Sequence, residues 1–322
     1  MVYPPRGKGD SGNGLTGMSA FRQERLKGMA MVLLAGLCWG TTGTLQEFTP
    51  AGAHPLTVGS VRIVLSGIIL LGFSVFSKEG LSFLRKTLLR PLLLGAAGLA
   101  GFQFCFFTAL KLTGVSVGTL IAIGAAPMFA GVLGVWAEKE PLSKGWFLST
   151  AVAISGCVLL ILGGKGGNIQ LHGGGIALAF LGSFLFALMG LGLKQQGAAL
   201  NSVQAATVTT GAAMIVGLPV LFFLDASWIF SFRGAAVGFS LGFLTMAFPL
   251  CIFSLGLRKI FLRDAYTLSL AEPLTACVLS AVVLGERLSI PSLGGVALIF
   301  LGILLLPASP ENSPLPEGRL LP

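Results

Sequence analysis

Charge is scarce in this chain: of 322 residues, 10% are Asp, Glu, Lys or Arg, against 54% hydrophobic. A water-soluble domain of that composition would expose far too much apolar surface, so a soluble fold is excluded. Histidine is nearly absent. The two present, His54 and His172, have no carboxylate or cysteine at ligand spacing, and no metal site is expected. The five cysteines, Cys38, Cys105, Cys157, Cys251 and Cys277, all fall inside apolar runs without disulfide or metal spacing and read as small core residues. There is no P-loop, no Ser-His pairing and no His-Asp cluster, so neither an ATP engine nor a catalytic constellation is expected, and no cofactor is implied. Two-residue alternation is missing too, which excludes a membrane β-barrel.

What the chain does have is long apolar runs. A helix crossing the hydrocarbon core needs roughly 20 residues, and ten runs of about that length lie near 28–45, 56–77, 91–110, 115–136, 143–162, 173–193, 203–224, 233–255, 263–284 and 289–306. Backbone groups in lipid must bond within their own segment, so these runs are expected to be helices. The fold class is therefore all-α, integral to the membrane. Residues 1–27 and 307–322, rich in Pro, Gly and charge, are expected to be disordered tails.

The net charge of +9 could suggest nucleic acid, but the basic residues are scattered over short connections and not gathered with aromatics, so no nucleic-acid partner is expected. Membrane orientation accounts for them. With the N-terminus inside, sixteen Lys and Arg fall on inner segments, four (Lys111, Lys165, Arg233, Arg287) fall on outer ones, and Arg62 lies within a span. That bias predicts a cell-membrane protein with both termini cytoplasmic.

The chain is also a duplication. Pro127 and Pro273 correspond at an offset of 146 residues, and each is followed 13 residues later by a glutamate, Glu140 and Glu286. Gly36 pairs with Gly182, Phe102 with Phe248, Ser143 with Ser289 and Gly156 with Gly302 at the same offset. The halves are expected at 28–162 and 173–306, joined by a linker at 163–172. Five crossings leave the chain on the opposite face, so the second half must enter the membrane inverted. Inverted repeats around a midplane site are the architecture of secondary transporters.

The Trp39-Gly40 pair, Arg62 at the head of the second span, Ala109-Leu110-Lys111 ending the third, Glu272-Pro273 in the ninth and Leu284-Gly285-Glu286-Arg287-Leu288-Ser289 after it resemble the drug/metabolite transporter superfamily, EamA type. The resemblance covers about residues 28–306. It implies ten helices in two inverted five-helix repeats, a central cavity, and most often export of amino acids or related metabolites. The first half departs from the second in having Ala126 where Glu272 stands and Lys139 where a glycine precedes the later glutamate.

Ionisable groups inside a span cost about +2.5 to +3.5 kcal/mol on insertion scales and usually face a cavity or a partner. Arg62 lies two turns into its helix and could also snorkel outward. Glu272 is deeper. It reads either as a substrate contact or proton carrier, or as a buried acid bonded to a neighbouring helix. At matching depths Trp39, Thr42, Gln103, Phe106, Phe107, Phe248, Tyr266 and Ser269 complete a candidate cavity, Gln103 because a mid-membrane amide needs hydrogen-bond partners. Pro127 and Pro273 are candidate hinges, or simple kinks. Glu140 and Glu286 precede Ser143 and Ser289, the expected caps of the following helices, where negative charge is favourable. Gly36-x-x-x-Gly40, Gly114-x-x-x-Gly118 and Gly238-x-x-x-Gly242 predict close helix packing. The expected function is a secondary transporter, most readily an exporter of a small amphipathic metabolite, with protons as a candidate coupling ion. Import or exchange of another metabolite such as a nucleotide sugar, and a channel or sensor without turnover, stay open as alternatives.

Overall fold

The computed structural model describes residues 13–50, 53–163, 172–283 and 289–307. Thirteen α-helices run in order as α1 (Asn13–Glu47), α2 (Pro55–Val75), α3 (Leu89–Thr113), α4 (Val115–Gly124), α5 (Ala126–Glu138), α6 (Lys144–Gly163), α7 (Gly173–Gln196), α8 (Ser202–Phe223), α9 (Phe232–Gly242), α10 (Phe248–Leu257), α11 (Leu262–Leu268), α12 (Ala271–Val283) and α13 (Ile290–Leu305). Among the described residues nine helical stretches are long and apolar enough to span a membrane, and α13 is a shorter apolar tenth. Three spans are each built of two pieces: α4 with α5, α9 with α10, and α11 with α12.

Packing follows the duplication. The first repeat is α1 to α6 and the second α7 to α13. α3 packs along α7, and the corresponding α10 packs along α1; α2 with α8 and α6 with α13 are pairs that the symmetry maps onto themselves. The closest approaches are made by glycine. A Cβ on Gly192 would stand 2.4 Å from the Gly95 nitrogen, and one on Gly295 would stand 2.3 Å from the Leu160 nitrogen. Without a hydrophobic force between helices in lipid, such backbone proximity is what gives dispersion its range. The three paired-glycine motifs differ: Gly36 and Gly40 meet the start of α12, Gly238 and Gly242 meet Leu65 on α2, and Gly118 meets Leu110 across the α3–α4 turn.

One expectation is corrected. The first helix begins at Asn13, so residues 13–27 are helical and not a disordered tail. Met18, Ala20, Arg22, Gln23, Glu24 and Leu26 are strong helix formers. The segment is also tied down: Arg25, 3% exposed, donates to Asp264 at 2.7 Å and to the Pro307 carbonyl at 2.9 Å. Glu24 meanwhile pairs with Lys27 and Lys259. Because Arg25 touches Pro307, both ends of the bundle lie on one face. The prolines that are candidate hinges or kinks lie where the fourth and ninth spans divide. Pro127 and Pro273 stand in the first turns of α5 and α12, where a missing N–H is no loss. The eighth span is interrupted by a π turn, Phe243–Ala247, with Pro249 just after it. Ser143 accepts from the Trp146 N–H and Ser289 from the Ser292 N–H, so both serines cap the helices that follow. Glu286 and Arg287, most of the expected linker and residues 308–322 lie outside the described residues.

Candidate substrate site

Arg62 is placed by a well-capped helix. His54 accepts from the Leu56 N–H, and Pro55 opens α2 with the dihedral angle a helix start requires, leaving Arg62 two turns inside. The side chain is buried at 6% exposure. Its Nε donates to Thr245 Oγ1 at 3.1 Å, and Nη2 donates to the Thr245 carbonyl at 3.1 Å and more weakly to Thr42 Oγ1 at 3.4 Å. Thr245 belongs to the π turn, a wider turn that interrupts the regular ladder and often marks functional positions. Nη1 makes no hydrogen bond within the described residues.

Glu272 stands in the first turn of α12, directly after the break, with its backbone N–H on the Ser269 carbonyl at 2.9 Å. α12 lies so close to α1 here that a Cβ on Gly40 would come within 2.6 Å of the Glu272 carbonyl oxygen. The residue is half-buried, and its carboxylate makes no hydrogen bond or ion pair within the described residues. Arg62 and Glu272 thus border the same stretch of α1, at Thr42 and Gly40, without closing into a salt bridge.

The other residues expected at the cavity divide into three groups. Thr42 joins Arg62 directly. Trp39, one turn earlier on α1, is buried with its ring 5.6 Å from Phe186 and 5.1 Å from Phe253. Gln103 and Phe107 on α3 pack against Gly59, one turn from Arg62 on α2, and the Gln103 Oε1 is buried without a partner. Phe106 lies between Phe102 and Phe107, at 5.3 and 5.4 Å. Tyr266 and Ser269 are committed elsewhere. Both are fully buried; Tyr266 donates to the Phe186 carbonyl and accepts from the Gly190 N–H at 3.2 Å, and Ser269 donates to the Tyr266 carbonyl at 2.8 Å. Phe248 stands apart, 37% exposed and stacked on Phe243 in an outer row of rings.

Sequence reasoning missed Thr245, Phe186 and Phe253. Thr245 carried a faint signal as a hydroxyl within an apolar span, whereas the phenylalanines carried none among 24 of their kind. A recess of about 520 Å³ near the α8–α9 connection, lined by Leu218, Phe222, Asp225 and Phe230 among others, includes none of the site residues. No group of three or more metal-ligating side chains occurs among the described residues.

Comparison with known proteins agrees with this architecture. The EamA-like transporter family model matches residues 26–162 and again 173–307. The chain is 35% identical over 292 residues to the uncharacterized transporter YwfM of Bacillus subtilis, covering 89% of this chain and 96% of that protein. It is 26% identical over 262 residues to the threonine/homoserine exporter RhtA of Escherichia coli K12, covering 80% and 83%. A crystal structure with 20% sequence identity has the same fold, with a TM-score of 0.74 over 86% of this chain and 95% of the other.

Proposed function

Because the chain belongs to the EamA-like transporter family, we propose that it exports a small zwitterionic metabolite, an amino acid or a close relative, by alternating access of its two repeats. Arg62 and Glu272 are the poles of the substrate site. One observation carries this reading: a guanidinium with a free terminal nitrogen and a carboxylate with no hydrogen-bond partner flank the same stretch of α1, at Thr42 and Gly40, without pairing. An amino acid brings the complementary charges, its carboxylate for Arg62 and its ammonium for Glu272. A nucleotide sugar fits less well, since its phosphates would be repelled by Glu272. The distant exporter relative supports the outward direction. Glu272 can serve the cycle in a second way, by carrying a proton between faces. Pro127 and Pro273 act as hinges at the breaks between half-helices, where a backbone already interrupted can reorient.

Counterflow in proteoliposomes tests the reading. Labelled amino acid should accumulate against unlabelled amino acid trapped on the other side, which a channel or sensor cannot produce. Arg62→Gln should abolish it. Glu272→Gln separates the two roles of the acid, because loss of pH dependence with retained binding marks proton coupling, and loss of binding marks substrate contact. Parent-like transport by both folded variants would refute the site.

The protein is placed in the cell membrane with both termini cytoplasmic, on the strength of the basic-residue bias. A cysteine at Lys78 in a cysteine-free background should be shielded from an impermeant thiol reagent in intact cells, and one at Asp225 should label. The reverse pattern would overturn the orientation.

A further inference from the structure

Glu140 was expected to serve the helix that follows it. The structure gives it a different partner. Its side chain is 4% exposed and reaches across to the second repeat, where both carboxylate oxygens accept from the backbone N–H of Leu262, at 2.8 and 2.9 Å. Lys194, at the end of α7, donates to the same carboxylate at 2.6 Å and to the Ile260 carbonyl at 2.8 Å. One carboxylate therefore joins the α5–α6 connection, α7 and the start of α11.

The local chain is shaped to deliver it. Lys139, the residue before Glu140, takes the left-handed conformation at φ 57°, the one non-glycine residue to do so among the described residues. This reversal lets the Glu140 N–H bond the Gly134 carbonyl at 3.0 Å and turns the side chain back over α5. It lies there in a notch that only glycine leaves free, since a Cβ on Gly134 would stand 2.6 Å from Glu140 Oε2.

The location gives this bond its meaning. Where the fourth and ninth spans meet, the halves on the termini face, α5 and α11, are packed together, while α4 and α12 on the opposite face make no comparable contact. The Glu140 bond crosses from the first repeat to the second, on the closed side. Resting on the alternating-access reading, we propose that Glu140 and Lys194 are the latch of the termini-side gate. The carboxylate must leave the Leu262 N–H for α11 to separate from α5, so this bond sets the balance between the two faces and contributes to the barrier of the transport cycle without touching substrate.

The test reads conformation, so it needs no identified substrate. In a cysteine-free background, a cysteine at Ala265, fully buried on α11, reports the termini-side gate, and one at Thr275, half-buried on α12, reports the opposite side. Labelling by an impermeant thiol reagent is compared in sealed vesicles of both orientations. Loss of a buried charge-assisted hydrogen bond corresponds to a roughly ten- to hundredfold population shift. Glu140→Gln and Lys194→Met should each raise termini-side labelling at position 265 at least about tenfold and slow labelling at 275 from the other face. Gly134→Ala should do the same with no change in charge, because it displaces the carboxylate from its notch. Unchanged labelling at both positions in folded Glu140→Gln and Gly134→Ala proteins would overturn the latch, whatever the counterflow experiment says about the substrate.

Discussion

The half-helices α4 and α11 occupy corresponding positions in the two repeats and differ in almost everything else. α11 reads Leu-Arg-Asp-Ala-Tyr-Thr-Leu, every residue of it buried, and Asp264, Tyr266 and Thr267 are hydrogen-bonded to neighbouring elements. Asp264 holds Arg25 of α1, Thr267 accepts from Trp146 Nε1 at 3.1 Å and meets Thr150 at 2.8 Å, and Tyr266 is locked to α7. The Arg263 guanidinium lies over the rings of Trp146 and Phe261. α4 reads Val-Ser-Val-Gly-Thr-Leu-Ile-Ala-Ile-Gly. It carries no charge, and from residue 117 to 124 no side chain makes a hydrogen bond to another helix among the described residues. Inverted backbones therefore do not imply equally held half-helices: α11 is fixed to its neighbours by directional bonds, whereas α4 is held by apolar packing. Polar closures have a few discrete bonds to break, and apolar ones slide.

The sharpest way to break the comparison is at Asp264. Its carboxylate is 1% exposed and paired with Arg25, and removing one member of a buried pair typically costs about 3–5 kcal/mol because the other charge is stranded. Asp264→Ala should lose much of its folded yield in detergent, measured by size-exclusion profile and thermal midpoint, whereas Thr119→Ala on α4 should leave both unchanged. A smaller effect is expected at Tyr266. Tyr266→Phe keeps the edge contacts to Phe186 and Phe253 but deletes the hydroxyl that bonds both the Phe186 carbonyl and the Gly190 N–H. A loss of about 1–3 kcal/mol should follow from the buried groups left unsatisfied, seen as a lower denaturation midpoint.

The smallest effect sharpens the account at Lys139. The corresponding position in the second repeat is Gly285, which suits the left-handed conformation that Lys139 adopts at a cost of about 1–2 kcal/mol. Lys139→Gly should relieve that strain, partly offset by the greater freedom of the unfolded chain, for a net gain below about 1 kcal/mol. A thermal midpoint that falls would show that the Lys139 side chain contributes more than its backbone costs.

Much of this was legible in the sequence because the bilayer imposes a strong rule. Ten apolar runs, the repeat offset fixed by Pro127 and Pro273, and Arg62 as an ionisable residue needing a partner all follow from the cost of bare polar groups in lipid. What was not legible depends on partners far along the chain. Asp264 stands beside Arg263 at the edge of a span and reads as a solvated pair, yet its partner Arg25 comes from 239 residues away. Glu140 sits where a local cap is expected, and only the fold brings Leu262 to it across 122 residues. Tyr266 and Ser269 had the depth expected of cavity residues, but depth along a helix does not say which way a side chain turns. The π turn that supplies Thr245 has no proline inside it to announce the break.

The two ends can be measured directly by spin-label distances in liposomes. One pair, at Val135 on α5 and Arg258 beside α11, reports the termini side; a second, at Thr119 on α4 and Val278 on α12, reports the other. Without substrate the first pair should give a narrow, short distribution and the second a longer, broader one. A saturating transported amino acid should populate the converse state, lengthening the first distance while the second shortens. Two distributions that stay fixed, or that lengthen together, would contradict alternating access in this protein.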